Sequence, residues 1–426
     1  MNGEISLTTF AQNLIENKGP GPDVHSVEYE LQDLLNSSIK DVVYSTLTLL
    51  DRRTHGIFFS GPKWANTLCS KININHWDRF VDPSVGTGDL LLEICANLPL
   101  QSTFAETVTE WSKRLVAVDL RASFLKITWI RIHMLALYRH REIDPSTNGS
   151  LLPLPDTFIT GDALQVKLQF KPGDCVIMNP PYQRVDAIKT SFVGKGKRSA
   201  AALHLEQVLL HSSTGTCIVA LLPDVLRSGS SYKKFRDEVS RRIDIQSFEP
   251  AGSFGTDADV DVAILVGRVG YRSASDKVPS IARSITLGDR FNVCVGPVVP
   301  HRTPRTGPQH PYLTAKNADV DVEIASPVET ATFTARLEPG PFVIVRRTSS
   351  PSDRKRARAT LVSAEVDFYI ENHLLVISPK NRSVSDCIEL MKVLKDARTD
   401  EWLNDHIRCR HLTVGALKSL PWLADI

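Results

Sequence analysis

Four consecutive residues, Asn179-Pro180-Pro181-Tyr182, carry the most specific chemistry in this chain. They follow an apolar run, Asp174-Cys175-Val176-Ile177-Met178, that reads as a buried parallel strand. A turn of this composition at a strand's C-terminal end places an amide oxygen, a carbonyl that cannot swing away and an aromatic face at one point. That set suits gripping a flat ring that bears an exocyclic amine. A Pro-Pro surface loop is the plain alternative, but an apolar strand leading into it argues against a surface position.

Three further strand ends bear on the same chemistry. Val81-Asp82-Pro83-Ser84-Val85-Gly86-Thr87-Gly88-Asp89-Leu90 reads as a strand, a tight glycine turn and the start of a helix. Gly86 and Gly88 allow backbone to approach a ligand where a Cβ would clash. Asp119 ends the next strand, Val116-Ala117-Val118, where an acid can accept both ribose hydroxyls of a nucleoside. Asp162, after Phe158-Ile159-Thr160-Gly161, could bond an adenine amine, with Phe158 or Ala163 as an apolar wall. Both acids are equally well placed to cap the turn or helix that follows.

The elements that must position these residues alternate in type from about 78 to 270. Strands are expected at 79–82, 115–118, 157–160, 174–178, 216–222, 243–248 and 262–267, with helices at 88–97, 121–138, 199–211 and 231–241. This alternation predicts an α/β, mostly parallel sheet covered on both faces, closed by a terminal antiparallel hairpin of the last two strands. Residues 24–50 have helical spacing, giving an N-terminal helical segment (1–50). Pro62 suits the first turn of a helix bearing Trp64 and Leu68. Residues 183–198, with Lys189, Lys195, Lys197 and Arg198 around two glycines, read as a mobile basic loop. Residues 296–312 hold five prolines and read as an irregular linker. Residues 313–426 are mixed α and β, with Leu412–Trp422 a packed closing segment.

A chain of 426 residues accommodates two or three domains. Its net charge is only +2, so overall charge does not announce a nucleic-acid partner. Residues 271–426 hold 22 Lys and Arg against 18 Asp and Glu, which places the basic excess in the C-terminal part. Seven scattered cysteines without a CxxC pair argue for a reducing compartment and against a disulfide framework or a metal site. With no signal pattern and no apolar run of about 20 residues, a cytoplasmic protein without membrane contact is expected.

Taken together, these motifs resemble the gamma-class DNA N6-adenine methyltransferases of restriction-modification systems, over roughly residues 50–270. His55-Gly56-Ile57-Phe58-Phe59-Ser60-Gly61-Pro62 resembles that family's N-terminal cofactor motif, with Gly61 intervening before the proline. The resemblance implies a Rossmann-like class I methyltransferase domain (51–270) and S-adenosylmethionine as cofactor. It implies that Gly56, Phe58, Phe59, Asp82, Pro83, Gly86, Gly88, Asp119, Asp162 and Ala163 hold that cofactor. Asn179, Pro180, Pro181 and Tyr182 would be catalytic. Phe254, in Ala251-Gly252-Ser253-Phe254-Gly255-Thr256, would stack on the extruded base, with a core-covering hairpin aromatic as the bland reading.

The chemistry expected is direct. Asn179 Oδ1 and the Pro180 carbonyl accept the two hydrogens of the adenine N6 amine, and Tyr182 and Phe254 hold the ring. The base must leave the duplex, at a cost of a few kcal/mol. A cytosine-C5 enzyme would need a Pro-Cys nucleophile, which is absent, and N4-cytosine enzymes usually have Ser where Asn179 stands. No acid-x-Lys nuclease pattern stands out, so any restriction endonuclease is expected to be separately encoded.

Pro341–Arg358 packs six basic residues and one acid. Arg346, Arg347, Arg354, Lys355, Arg356 and Arg358 suit phosphate contacts of double-stranded DNA, and an Arg can read guanine. Arg408–His411 adds a second basic point. Residues 271–426 are accordingly expected to be an α+β target-recognition domain. A solvated basic loop accounts for the same cluster. Two other readings stay open. One is methylation of RNA adenine or a protein glutamine amide on the same fold; the other is a non-catalytic DNA-binding subunit.

Overall fold

In the computed structural model of the chain, residues 59–187, 191–255, 260–270, 285–326, 329–349, 353, 355–406 and 411–422 are described. The helical segment expected at 24–50, Gly56, Phe58, Lys189, Arg354 and Arg408–Arg410 lie outside them. The chain divides into two compact units, Met1–Arg227 with Tyr232–Asp276, and Ser228–Ser231 with Lys277–Ile426.

The first unit is built on a seven-stranded sheet. Its strands are β1 (Arg79–Asp82), β2 (Leu115–Asp119), β3 (Phe158–Thr160), β4 (Asp174–Met178), β7 (Cys217–Pro223), β8 (Ile243–Ser253) and β9 (Asp261–Val269). Their order is β3-β2-β1-β4-β7-β9-β8. The first five are mutually parallel, whereas β9 runs antiparallel to both β7 and β8. The expected terminal hairpin is therefore present. This is the class I methyltransferase fold.

Burial on both faces explains the near-continuous apolar strands. Phe80, Ala117, Ile177 and Val219 point to one face, under α1 (Gly61–Cys69), α2 (Asp89–Asn97), α3 (Phe104–Arg114) and α4 (Ala122–Arg141). Val81, Val176, Met178 and Ile218 point to the other, under α5 (Ala200–Leu210) and α6 (Lys233–Arg242). The Arg79 guanidinium donates two hydrogen bonds to buried Asp174, at 2.8 and 2.7 Å, and pins β1 beside β4. Chain order reverses between these two strands, and ligands of open α/β sheets bind in the crevice beyond such a point.

The described ends of the 183–198 stretch carry regular structure that a plain loop would lack. Strands β5 (Arg184–Asp186) and β6 (Lys197–Ser199) pair antiparallel as a ribbon. Its far arm is tied down by the buried Phe192 and Val193, and by Glu206, whose carboxylate accepts from the Phe192 N–H and the Ser191 hydroxyl, both at 2.6 Å.

The second unit is α+β. A five-stranded sheet runs β10-β14-β12-β13-β11, where β10 is Phe291–Val295, β11 Glu323–Ile324, β12 Phe342–Arg346, β13 Ala359–Val362 and β14 Leu374–Pro379. One face packs on the helix Val384–Lys395 and on the closing segment, whose Leu412, Leu417, Leu420 and Trp422 are buried. The proline-rich stretch ends in a strand, Gln309–Leu313, of a second, four-stranded sheet.

Candidate active site

Adjacent parallel strands β1 and β4 deliver the glycine turn and the Asn-Pro-Pro-Tyr turn side by side. Between them lies a cavity of about 250 Å³. Phe59, Pro83, Gly86, Asp119, Asp162, Ala163, Asn179 and Pro181 all line it. Asp82, Gly88 and Pro180 are buried and adjoin lining residues in sequence.

The glycine turn is shaped by its φ angles, +54° at Gly86 and +89° at Gly88. A Cβ at Gly88 would lie 2.5 Å from the Thr128 side chain, and one at Gly86 would press on the Phe59 ring at 3.2 Å. Asp119 holds the turn from the next strand: Oδ2 accepts from Gly86 N at 3.0 Å and Oδ1 from Arg121 N at 2.9 Å. Burial raises the Asp119 pKa against these two hydrogen bonds. Asp162 likewise caps its own turn through Leu164 N at 2.9 Å while facing the cavity. Capping and cavity-facing therefore coexist at both acids.

Asp82 is 1% exposed and accepts from Ser84 N at 2.9 Å. Burial, with Asp119 and Asp89 nearby, pushes its pKa up to about 8. Between the ordinary carboxylate range and about 8, the folded protein keeps a proton that the unfolded chain has lost. Stability must fall as pH rises through this window, by at most about 1.4 kcal/mol per pH unit. Asp82→Asn keeps an acceptor for Ser84 N and removes the titration. The thermal midpoint of the variant should therefore lose less than wild type's between pH 5 and pH 8. Parallel melting curves for the two proteins would contradict the protonated state of Asp82.

The segment before α1 closes the site and was only partly legible beforehand. Ser60 Oγ accepts from Asn179 Nδ2 at 3.0 Å. Gly61, the residue that interrupts the family pattern, has φ +66° and donates its N–H to Asp89 Oδ2 at 2.7 Å. Asp89 also pairs with buried Arg131 at 2.8 Å. The Tyr182 hydroxyl donates to Asn179 Oδ1 at 2.7 Å, and burial raises its pKa well above the usual phenol value, keeping it a donor. Asn179 is thereby held from both ends of its amide.

Phe254 lies next to this cluster. Its ring stacks parallel to Trp64 with centroids 6.1 Å apart, and its carbonyl accepts from Trp64 Nε1 at 2.9 Å. It meets Tyr182 edge to face, with centroids 5.6 Å apart. The two rings touch, so a base enters between them only if the Phe254 turn moves.

Sequence marks Trp64 only as a helix residue and Ser60 only as part of its motif, and gives no site role to Gln183 or His204. His204, on α5, lines the cavity, and burial lowers its pKa to about 4, so it is neutral. Only the helical pattern of 199–211 marked its surroundings. A glycine cradle, strand-end acids and apolar Phe124 and Leu164 together fit a nucleoside-bearing cofactor.

The basic cluster of the second unit is more heterogeneous than its sequence. Arg356 is corrected as a phosphate contact. It is 0% exposed, and its Nη1 donates to the Ser349 carbonyl while its N–H donates to Asp400. Arg346 and Arg347 are half-buried and donate to the Ala318 and Asn372 carbonyls. Lys355 lies 3.6 Å from Asp321, and Arg358 is half-buried.

Neither a protein-family model nor a curated protein matches the chain. Solved structures do. The type IIL restriction-modification enzyme MmeI, solved in complex with DNA, superposes with a TM-score of 0.52 at 9% identity, over 90% of this chain and 67% of that one. The type IIG restriction endonuclease BpuSI gives 0.42 at 14% identity, over 91% of this chain and 61% of its own. A putative class I S-adenosylmethionine-dependent methyltransferase from Listeria monocytogenes gives 0.37 at 15%, over 66% and 91%. The likeness to MmeI shows a shared fold. The chain spans about three fifths of the length of BpuSI.

Proposed function

We propose that this protein is an S-adenosylmethionine-dependent methyltransferase that modifies N6 of an adenine extruded from double-stranded DNA. One observation carries the reading: Asn179 and Pro181 line the same cavity as the glycine turn and the strand-end acids Asp119 and Asp162. A group acting on a planar amine thus lies next to a site suited to a nucleoside. The fold shared with MmeI, a restriction-modification enzyme named as bound to DNA, supports DNA as the substrate.

In this reading Asp119 and Asp162 hold the ribose and adenine of the cofactor, and Gly86 and Gly88 give its amino-acid end access to backbone. When bound, S-adenosylmethionine supplies a sulfonium methyl group, a strong electrophile. The residues of the chain do the positioning. Asn179 Oδ1 has a second lone pair beyond the one that Tyr182 occupies, and it accepts one amine hydrogen. The Pro180 carbonyl accepts the other. These contacts draw the nitrogen toward a tetrahedral form and aim its lone pair into the cavity. Orientation and exclusion of water account for most of the rate.

Tritiated cofactor with duplex DNA, followed by nucleoside analysis, tests this. Label in N6-methyladenine is expected. Label in N4-methylcytosine, in RNA or in a protein amide instead would overturn the assignment.

The second wall of the base site comes from Phe254 after it leaves Trp64. Phe254→Ala should raise KM for DNA by roughly 5- to 150-fold, since base–aromatic stacking contributes about 1–3 kcal/mol. An unchanged KM would return Phe254 to the role of a core-covering aromatic.

A further inference from the structure

The β5–β6 ribbon begins two residues after Tyr182 and forms part of the cavity wall. Gln183 and Val185 line the cavity, whereas Arg184 and Asp186, the alternate positions, are exposed. The returning strand carries Lys197 and Arg198, and Lys195 lies in the turn before it. Positive φ at Gly194 (+109°) and Gly196 (+76°) bends the chain on either side of Lys195. Both arginines are turned onto the ribbon's own backbone. Arg184 Nη2 donates to the Lys197 carbonyl at 2.7 Å, and Arg198 Nε donates to the Lys195 carbonyl at 3.1 Å. Arg198 also lies over the Tyr232 ring, at 5.9 Å.

Lys195 and Lys197 differ: both are exposed, and neither ammonium has an ion-pair partner among the described residues. Lys197 stands on β6, across the ribbon from the exposed Asp186, and Lys195 in the glycine-flanked turn that leads into it. The ribbon is clamped by Glu206, by the buried Phe192 against Phe235 (centroids 6.3 Å apart) and by the Ser199 N–H on the Tyr232 hydroxyl at 3.0 Å. Two cations on a surface this firmly held, paired with the strand whose Val185 lines the cavity, are suited to a polyanion passing the mouth of the site. A phosphate held there would position the nucleotide whose base the Asn179 turn receives.

We propose that the ribbon binds the sugar-phosphate backbone of the nucleic acid next to the extruded base, with Lys195 and Lys197 as the phosphate contacts. This rests on the methyltransferase reading above. The test uses the full chain, a mixed-sequence DNA duplex and fluorescence anisotropy over a salt series. Neutralising one phosphate contributes about 0.9 to the slope of log K against log salt. The double variant Lys195→Glu/Lys197→Glu should therefore lower that slope by about 2 and weaken binding to all duplexes alike. Its affinity for S-adenosylmethionine should stay that of wild type, which also reports an intact fold. Lys113→Glu, on α3, should leave the slope unchanged. A normal slope in the double variant with normal cofactor affinity overturns the ribbon's role and leaves the methyltransferase reading standing. A wild-type protein that labels only protein or RNA overturns that reading and the ribbon's DNA contact together.

Discussion

Replacing Asn179 by alanine should abolish methyl transfer, by at least 10²–10³-fold in kcat, with cofactor affinity changed less than about threefold. The magnitude is that of removing one preorganised hydrogen-bonding group aimed at a reacting atom. Two features raise the expectation toward the upper end. Asn179 is held by Ser60 and Tyr182, so its orientation is set before substrate arrives. Alanine also leaves the buried Tyr182 hydroxyl without its acceptor, which loosens the aromatic face of the same turn. Ser60→Ala should show the milder form of this defect, because it frees only the amide nitrogen end. Single-turnover rates with tritiated cofactor measure both. Full activity in Asn179→Ala would remove Asn179 from the chemistry and, with it, the adenine assignment.

Asp119→Ala should have the second largest effect, and in the opposite pattern: cofactor affinity lost by about 10²-fold or more, DNA affinity retained. The side chain accepts from Gly86 N and Arg121 N, and hydrogen bonds to a charged group contribute about 1.5–3 kcal/mol each. Alanine removes both and releases the glycine turn from the β2 end. Asp119→Asn keeps an acceptor and should fall between. Calorimetric titration with S-adenosylmethionine, alongside anisotropy with duplex DNA, separates the two affinities. Unimpaired cofactor binding by Asp119→Ala would mean that the acid serves only as a cap. Conversely, a variant unable to bind either ligand would have lost its fold, and the Asp119→Asn protein then decides.

The two experiments divide the cavity into halves that the sequence had already separated. In the proposed reading the β1 and β2 ends hold the cofactor, and the β4 end addresses the base. Each half was legible because its signal is local. A run of apolar residues buried on both faces leaves no polar alternation, and Cys175–Met178 has that pattern. The Gly86–Gly88 turn, the acids at 119 and 162 and the Asn-Pro-Pro-Tyr turn each lie within a few residues of such a strand. Strand-to-helix alternation then fixed their common side, because parallel strands connected by helices all end at the same sheet edge. Even the reversed β9 could be anticipated, since too few residues separate it from β8 to hold a crossover helix.

Other features depended on contacts that no local pattern encodes. Ser60 and Asn179 are 119 residues apart, and Trp64 and the Phe254 carbonyl 190 apart. Residues 183–198 look like a mobile loop because their glycines and lysines carry no periodicity; Ser191 and Phe192 within it are held by Glu206, a helix residue with no mark in the sequence. Arg356 stands in a run of basic residues and yet lies wholly inside the second unit, because its backbone N–H and its guanidinium meet Asp400 and Ser349 there. A run of charge shows how many cations a segment has, not which way each one turns.

By itself, then, the sequence determined the class of sheet, the edge at which the candidate site lies and the residue types available there, all consequences of periodicity and turn chemistry within some ten residues. Only the tertiary structure decided how Asn179 is oriented, where Phe254 rests and which basic residues remain exposed. Those outcomes follow from packing between segments far apart in the chain, where the energy of burial and hydrogen bonding selects one pairing among many that the local sequence permits.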